Sequence, residues 1–448
     1  MARRRATRCT WSIVLATTAL VGATFSERAA GALGAQTSPM IANLAAVPVL
    51  QPGKGGFVPV PPFRLVDTRQ TVKAGQYPVY GAPAFLAGES DAFQLFSPGD
   101  AALPSAGVGA VVLNVTVVSP TADGFVAIWP AGEPRPGTSV LNYRAGQTVA
   151  NSVSVKVSAD LKVSFFTSGG TDLLVDVTGV YAGTGGAPGG GGFEGVVPTR
   201  LLDTRQPGQP VTPVIAPDRV TAVINGLDVS SVVPGSAVAV VLNVTAVPAT
   251  TGPLGGYLTV HPSGGGLPLA SNLNHDGRHV VANQVTVKLA AGKLDIFMQN
   301  PVDVIVDVMG YYAAGPLVPG GFVPLSPSRF MDTRNQSVSS LWFYDPGTGT
   351  YVVDVTGVTT AGGEIVDLAA AAGSFNVTAT NLLSGGYVTV WPDGGVRPGS
   401  SSLNYAAGQT VPNAVTVGLG DTGGIELFSL AKGDLVVDMN GWFSSPFV

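Results

Sequence analysis

Cysteine and histidine are almost absent from this chain of 448 residues, and their scarcity excludes several kinds of chemistry. The one cysteine, Cys9, lies in an N-terminal segment with the pattern of a signal peptide, so the mature chain would have no thiol. Disulfides, zinc–thiolate sites and cysteine catalysis are therefore excluded. The three histidines, His261, His275 and His279, lie close together in the middle of the chain.

Charge and long apolar runs are also scarce. Charged residues make up 11% of the chain, and no segment after the N-terminus reaches the roughly 18 uncharged apolar residues of a membrane helix. Subtracting four N-terminal arginines from the 23 basic residues leaves 19 against 28 acidic residues, a net charge near −9. With no cluster of Lys or Arg, neither nucleic-acid binding nor a membrane span is predicted.

The N-terminus reads as a targeting signal. Arg3, Arg4, Arg5 and Arg8 precede a short apolar run, and small residues suitable for cleavage follow at 21–23 and 32–34. We therefore predict a signal peptide and cleavage region over 1–35 and a linker over 36–56. A secreted protein, extracellular or cell-wall associated, is expected.

Two phrases recur three times. Arg-x-x-Asp-Thr-Arg stands at 64–69, 200–205 and 329–334, and Asp-x-x-Gly followed by two more residues, the last aromatic, stands at 176–181, 307–312 and 438–443. Because each pair brackets a similar length, the chain is predicted to hold three modules, at 57–183, 193–314 and 321–448. An enzyme needs one singular constellation, so a triplicated module favours binding or scaffolding.

The pattern inside each module is that of short strands. Apolar alternation, as in Phe125-Val-Ala-Ile-Trp129, is interrupted by turns rich in the 60 glycines and 35 prolines. The closing run Leu173–Val177 is apolar apart from one Asp, as in a strand covered on both sides. The predicted fold is all-β, with three tandem β-sandwich modules that are Ig-like or jelly-roll-like.

Together these phrases resemble a tandem β-rich repeat of secreted, cell-wall-associated actinobacterial proteins. The shared features are Arg-x-x-Asp-Thr-Arg, an internal Leu-Asn-Val-Thr and a closing Asp-Val-x-Gly-Tyr-Tyr, over about residues 57–448. The resemblance implies accessory modules at the cell wall and supplies no catalytic residues. Module two departs at Gly195, where a proline is usual, and module three departs over Leu341–Tyr351.

The recurring arginines and aspartates admit two interpretations, an acidic or cation-binding site and a buried structural network. Asp176 and its counterparts lie inside apolar runs, where an unpaired carboxylate would be costly, so the network is favoured. Its predicted members are Arg64, Asp67, Arg69, Asp176, Arg200, Asp203, Arg205, Asp307, Arg329, Asp332, Arg334 and Asp438.

Asn114, Asn243 and Asn376 each begin an Asn-Val-Thr glycosylation sequon. They lie mid-strand among apolar neighbours, where attachment would be blocked, so we expect each amide to satisfy backbone groups instead.

A metal site at His275-Asp-Gly-Arg-His279 is the functional interpretation of that loop. It lacks the spacing of two ligands on one helix face and is absent from the other modules, so a solvated histidine pair is favoured. No metal and no cofactor are predicted. Neither a Gly-x-Ser-x-Gly nor a Walker A phrase occurs.

Two pairs of residues that occur together in modules one and three, and are both absent from module two, are candidates for glycan binding. They are Trp129 with Arg135, and Trp391 with Arg397. Module two has His261 and Leu267 at these places, as expected if each guanidinium stacks on its indole. The platform could bind a sugar face, or the Trp could only close the loop over the core. We favour the second interpretation.

These observations predict a secreted, non-enzymatic protein that binds a cell-wall glycan or a surface protein. The alternative is a structural or adhesive spacer that contacts proteins only. A carbohydrate-active enzyme is the least favoured interpretation.

Overall fold

The computed structural model describes residues 56–69, 84–95, 107–183, 192–209, 212–216, 219–248, 255–313, 320–335 and 338–445. The predicted signal peptide and all but the last residue of the predicted linker lie outside these ranges. The described residues form strands and one short 3-10 turn, Ser339–Leu341, so the prediction of an all-β chain is confirmed. None of them belongs to a helix long and apolar enough to span a membrane.

Each repeat contributes eight or nine strands. Repeat one has β1 (Phe57–Asp67), β2 (Ser90–Gln94), β3 (Val108–Val118), β4 (Gly124–Pro130), β5 (Leu141–Tyr143), β6 (Val149–Lys156), β7 (Lys162–Thr167) and β8 (Asp172–Ala182). Repeat two has β9 (Gly192–Asp203), β10 (Thr212–Ala216), β11 (Arg219–Asp228), β12 (Ala237–Val247), β13 (Gly256–Pro262), β14 (Leu273–His275), β15 (Val281–Lys288), β16 (Lys293–Met298) and β17 (Asp303–Ala313). Repeat three has β18 (Phe322–Asp332), β19 (Trp342–Asp345), β20 (Thr350–Asp354), β21 (Ala370–Thr380), β22 (Gly386–Pro392), β23 (Leu403–Tyr405), β24 (Val411–Gly418), β25 (Gly424–Ser429) and β26 (Asp434–Ser444).

The strands form six antiparallel sheets, two from each repeat. One sheet of each repeat joins its first and last strands, in the orders β1-β8-β3-β6, β9-β17-β12-β15 and β18-β26-β21-β24. The others have the orders β2-β7-β4-β5, β10-β11-β16-β13-β14 and β19-β20-β25-β22-β23. Three large hydrophobic cores each lie between the two sheets of one repeat.

The prediction of three tandem β-sandwich modules is wrong, because the six small sheets form a six-bladed β-propeller. Their edge strands β5, β6, β14, β15, β23 and β24 follow one another around a central axis. Alternation along β3 shows why the sequence misled. Leu113 and Val115 face the core of their own repeat, whereas Ala110 and Val112 face the other repeats. The sequence of a strand that is buried on both faces therefore does not show whether its own repeat or another repeat covers each face.

An aromatic cluster joins all three repeats where their first and last strands meet. Tyr181 and Phe322 have ring centroids 4.2 Å apart, and both side chains are buried. The glycine of each Asp-x-x-Gly motif makes room for these rings, since a Cβ on Gly179 would lie 2.2 Å from the Phe57 ring. The rings of the cluster belong to Phe57, Tyr181, Phe193, Tyr312, Phe322 and Phe443.

A ring of asparagines makes the second connection among repeats. Asn283 of repeat two is fully buried, donates to Oδ1 of Asn114 in repeat one at 2.9 Å, and accepts the backbone N–H of Ser152 at 3.1 Å. Asn114 also donates to the carbonyl of Ser271 in repeat two. The same pattern links Asn413 with Asn243, and Asn151 with Asn376. The sequon asparagines thus bind neighbouring repeats, and they are buried.

Gly195, the departure in module two, lies at a close approach between repeats two and three. A Cβ at Gly195 would lie 3.1 Å from the backbone nitrogen of Gly418. Because repeat three ends β24 in glycine where repeats one and two have Lys156 and Lys288, the two glycines fit one another.

Candidate functional site

The recurring arginines pair with aspartates of the last strand in every repeat. Arg64 on β1 donates from Nε and Nη2 to the two carboxylate oxygens of Asp176 on β8, the second at 3.2 Å. Arg329 and Asp438 repeat this arrangement at 2.7 and 3.2 Å, as do Arg200 and Asp307. The network therefore joins the first strand of a repeat to its last.

A second carboxylate, the aspartate of the Arg-x-x-Asp-Thr-Arg motif itself, holds the last arginine of that motif. Asp332 accepts the side-chain Nε and Nη2 of Arg334 at 2.8 and 2.7 Å, and Arg329 donates to it as well. The hydrogen bonds from Arg334 have the largest effect, and together with the other contacts they lower the pKa of Asp332 to about 2. Equivalent contacts hold Asp67 with Arg69 and Asp203 with Arg205.

Burial dominates the other carboxylate of the network. It raises the pKa of Asp176 and of Asp438 to about 6, and the paired guanidinium only partly opposes the shift. Arg64 and Arg329 also donate to loop carbonyls of a neighbouring repeat, at Leu269 and Gly137. Every recurring carboxylate is therefore engaged by arginine, as expected of a structural network.

The two tryptophans proposed as glycan contacts are buried lids. Trp129 and Trp391 are only 6% and 2% exposed, and their indole N–H groups donate to carbonyls of their own loops, at Glu133 and Gly395. Arg135 and Arg397 do not stack on them, contrary to expectation. Their guanidinium carbons lie 3.9 and 4.0 Å from the ring centres of Phe166 and Phe428. An indole with no exposed face has no surface for a sugar.

The histidines occupy three separate environments. His261 is buried at the end of β13, and exposed His279 pairs with Asp276 at 2.6 Å. His275 is buried with no hydrogen-bond partner for either ring nitrogen among the described residues. Burial lowers its pKa, although Asp276 opposes the shift. Within the described ranges, no three His, Cys, Asp or Glu side chains are grouped to hold a metal ion.

A pocket on the central axis lies where the three repeats converge. The loops that precede β6, β15 and β24 line it, and its volume is about 660 Å³. Val149, Val281 and Val411 begin these strands and lie in its wall. Farther along these strands, the side-chain amide of Gln284 in repeat two donates to the Thr416 hydroxyl of repeat three at 3.1 Å. A pocket of this volume is within the range that encloses small ligands.

Amides and hydroxyls dominate the polar lining of this axial pocket. One asparagine from each repeat occupies the same position, immediately before the last residue of β5, β14 and β23. These amides can donate and accept hydrogen bonds, and the ring of Tyr257 adds one aromatic surface. The uncharged amide and hydroxyl side chains are those of Asn142, Gln147, Thr148, Asn274, Gln299, Asn404, Gln409 and Thr410, and the ionisable ones other than tyrosine are those of Arg144, His275, Asp276 and His279.

Sequence reasoning missed this pocket, although a signal was present. Ala-Gly-Gln-Thr recurs at 145–148 and 407–410, in loops that contribute no residue to a hydrophobic core. In repeat two the loop differs, and His275 replaces the tyrosines Tyr143 and Tyr405. Their hydroxyls accept backbone N–H groups of Gly169 and Ala431, both at 3.1 Å.

No protein-family model matches the chain, and no curated protein matches it. Among solved structures, it is similar to the N-terminal CBM22-1-CBM22-2 tandem domain of Xyn10C from Paenibacillus barcinonensis, at 11% identity. The match covers 56% of this chain and 98% of that chain, with a TM-score of 0.15. A score this low carries no argument about fold or ligand. The resemblance to actinobacterial repeats stays a prediction.

Proposed function

We propose that this chain is a secreted, non-enzymatic protein of the cell surface or cell wall, and that it binds glycan in the axial pocket. The observation that carries the proposal is the convergence of three polar loops, one from the same place in each repeat, on one pocket. A sugar presents many hydroxyls that both donate and accept, and side-chain amides match that chemistry. The ring of Tyr257 offers an apolar face for a pyranose.

The non-enzymatic part rests on the carboxylates. A glycosidase needs two acidic side chains available on either side of the scissile bond. Here the recurring aspartates are engaged by arginines, and Asp276 in the pocket accepts three hydrogen bonds of its own loop. No pair of free carboxylates faces the pocket among its lining residues.

A protein-binding spacer is the second candidate, favoured by the outer hairpin of repeat three. Phe343 and Tyr344 on edge strand β19 are 55% and 51% exposed. Exposed aromatic residues on a strand with one free edge are suited to contact with another chain. The two candidates place the contact surface on different parts of the molecule.

Retention on purified cell wall distinguishes them. Thr148 is an exposed pocket residue, and Thr148→Trp would fill the recess without removing a core contact. We expect the mature chain to be retained and Thr148→Trp to lower retention at least about tenfold, because the ring occupies the ligand's volume. Ser236→Trp, at an exposed site outside the pocket lining, is the matched control and should bind like the parent. No retention of the parent, or equal retention of both variants, would refute glycan binding in the pocket.

A further inference from the structure

The charges around the axial pocket differ among the repeats, although each repeat contributes an asparagine to its lining. At the position after β5, β14 and β23, repeat one has Arg144, repeat two has Asp276 and repeat three has Ala406. The first two line the pocket. The site is therefore chemically asymmetric. Its charged residues can discriminate between ligands that the amides would bind alike.

The negative charge is already engaged within its own loop. Asp276 accepts the backbone N–H groups of Arg278 and His279 at 2.8 and 2.9 Å, and it contacts Nδ1 of His279 at 2.6 Å. Burial opposes ionisation, but these hydrogen bonds outweigh it and lower the pKa of Asp276. The carboxylate is thus held as the acceptor of a closed turn.

The positive charge has no such partner. Arg144 donates from Nη2 to the carbonyl of Gly408 in repeat three, and no carboxylate among the described residues lies within 4 Å of it. A backbone carbonyl orients the guanidinium without neutralising it. Its remaining N–H groups stay available as a planar fork, the geometry that pairs with carboxylate or phosphate oxygens.

We propose that the axial pocket selects a glycan that carries an anionic group, a carboxylate or a phosphate, and that Arg144 pairs with that group. The inference rests on the proposed function and names the ligand class of the same site. The amide and hydroxyl side chains hold the neutral hydroxyls of the sugar, and the arginine distinguishes acidic from neutral polymers.

The overall charge of the chain makes this recognition local. With a net charge near −9 once the four N-terminal arginines are subtracted, the molecule repels polyanions at long range. Anion binding would then depend on the single guanidinium of Arg144, which is exposed at the pocket, and it would weaken as salt is added. A nonspecific polyanion binder would need a basic patch instead.

Calorimetric titration of the full mature chain tests the inference with three probes: an oligogalacturonate, the same oligomer with its carboxyls reduced to alcohols, and a glycerol-phosphate oligomer. We expect at least one anionic probe to bind about tenfold or more tighter than the reduced oligomer. Arg144→Gln should abolish this preference and Arg144→Lys should retain part of it. Arg278→Gln, at an exposed arginine of the neighbouring loop outside the pocket lining, should keep it.

Each outcome decides a separate point. Preference for the carboxylate or for the phosphate oligomer identifies the source of the anion, and both support the inference. Equal binding of all probes by the parent overturns it and leaves the glycan proposal standing. So does an equal loss of neutral and anionic probes in Arg144→Gln, which would assign Arg144 only to holding Gly408. Absence of binding to every probe would count against the proposed function itself.

Discussion

Replacement of Asn283 by alanine is expected to lower the free energy of unfolding by about 3 to 6 kcal/mol. The side chain is fully buried and makes three hydrogen bonds: it donates to Asn114 and accepts from Ser152, both in repeat one, and it donates to the carbonyl of Asn272 in its own repeat. Alanine would leave these three buried groups without their partner, at about 1 to 3 kcal/mol each with partial relaxation. Denaturant unfolding of the full mature chain measures the change.

Asn300→Ala provides the matched control. Its amide donates to the carbonyl of Gly255 in an exposed loop, and we expect a change below about 1 kcal/mol. A small effect at Asn283 as well would mean that the repeats are stable without their asparagine ring. The propeller would then be a weak association of independent modules.

Asp176→Ala is expected to destabilise the chain by about 3 to 5 kcal/mol at neutral pH. The carboxylate is buried and pairs with both Nε and Nη2 of Arg64, whose side chain is only 11% exposed. Removing one member of a buried pair leaves the other charge uncompensated. The free energy of unfolding from denaturant titration gives the magnitude, and Asp176→Asn should lose less because one acceptor oxygen remains.

The control for this pair is Asp160→Ala. Asp160 pairs with Lys162 at 2.9 Å on the surface, where solvent screens the interaction, so its loss should leave the unfolding midpoint unchanged. Equal midpoints for Asp160→Ala and Asp176→Ala would show that the Arg64 pair contributes nothing to the fold. The recurring phrase would then need a functional explanation.

Strand content and the pairing of the recurring arginines with aspartates could be reasoned from sequence, because both depend on local pattern. Alternating Phe125–Trp129 indicates a strand wherever its partner lies, and an Asp inside an apolar run needs a counter-charge. The arrangement around an axis could not be reasoned in this way. Asn114 bonds to Ser271, which is 157 positions away, and one sequence does not pair such residues.

The candidate site shows the same limit. Trp129 with Arg135 varied together and suggested a stack, yet the guanidinium lies on Phe166, a residue of a different strand. The Trp and the Arg do change together among the repeats, but the reason is that both pack on the same face of a sheet. The axial pocket was missed because its lining comes from three loops that are distant in sequence and adjacent only after the ring closes.

Hydrogen exchange of the mature chain, with and without glycan released from cell wall, tests the central claim most directly. If the three repeats build one glycan site, ligand should slow amide exchange in the loops at 144–149, 276–281 and 406–411 together, because all three line the same pocket. Protection confined to the tryptophan loops at 131–138 and 393–400, or to the hairpin at 342–350, would contradict the claim.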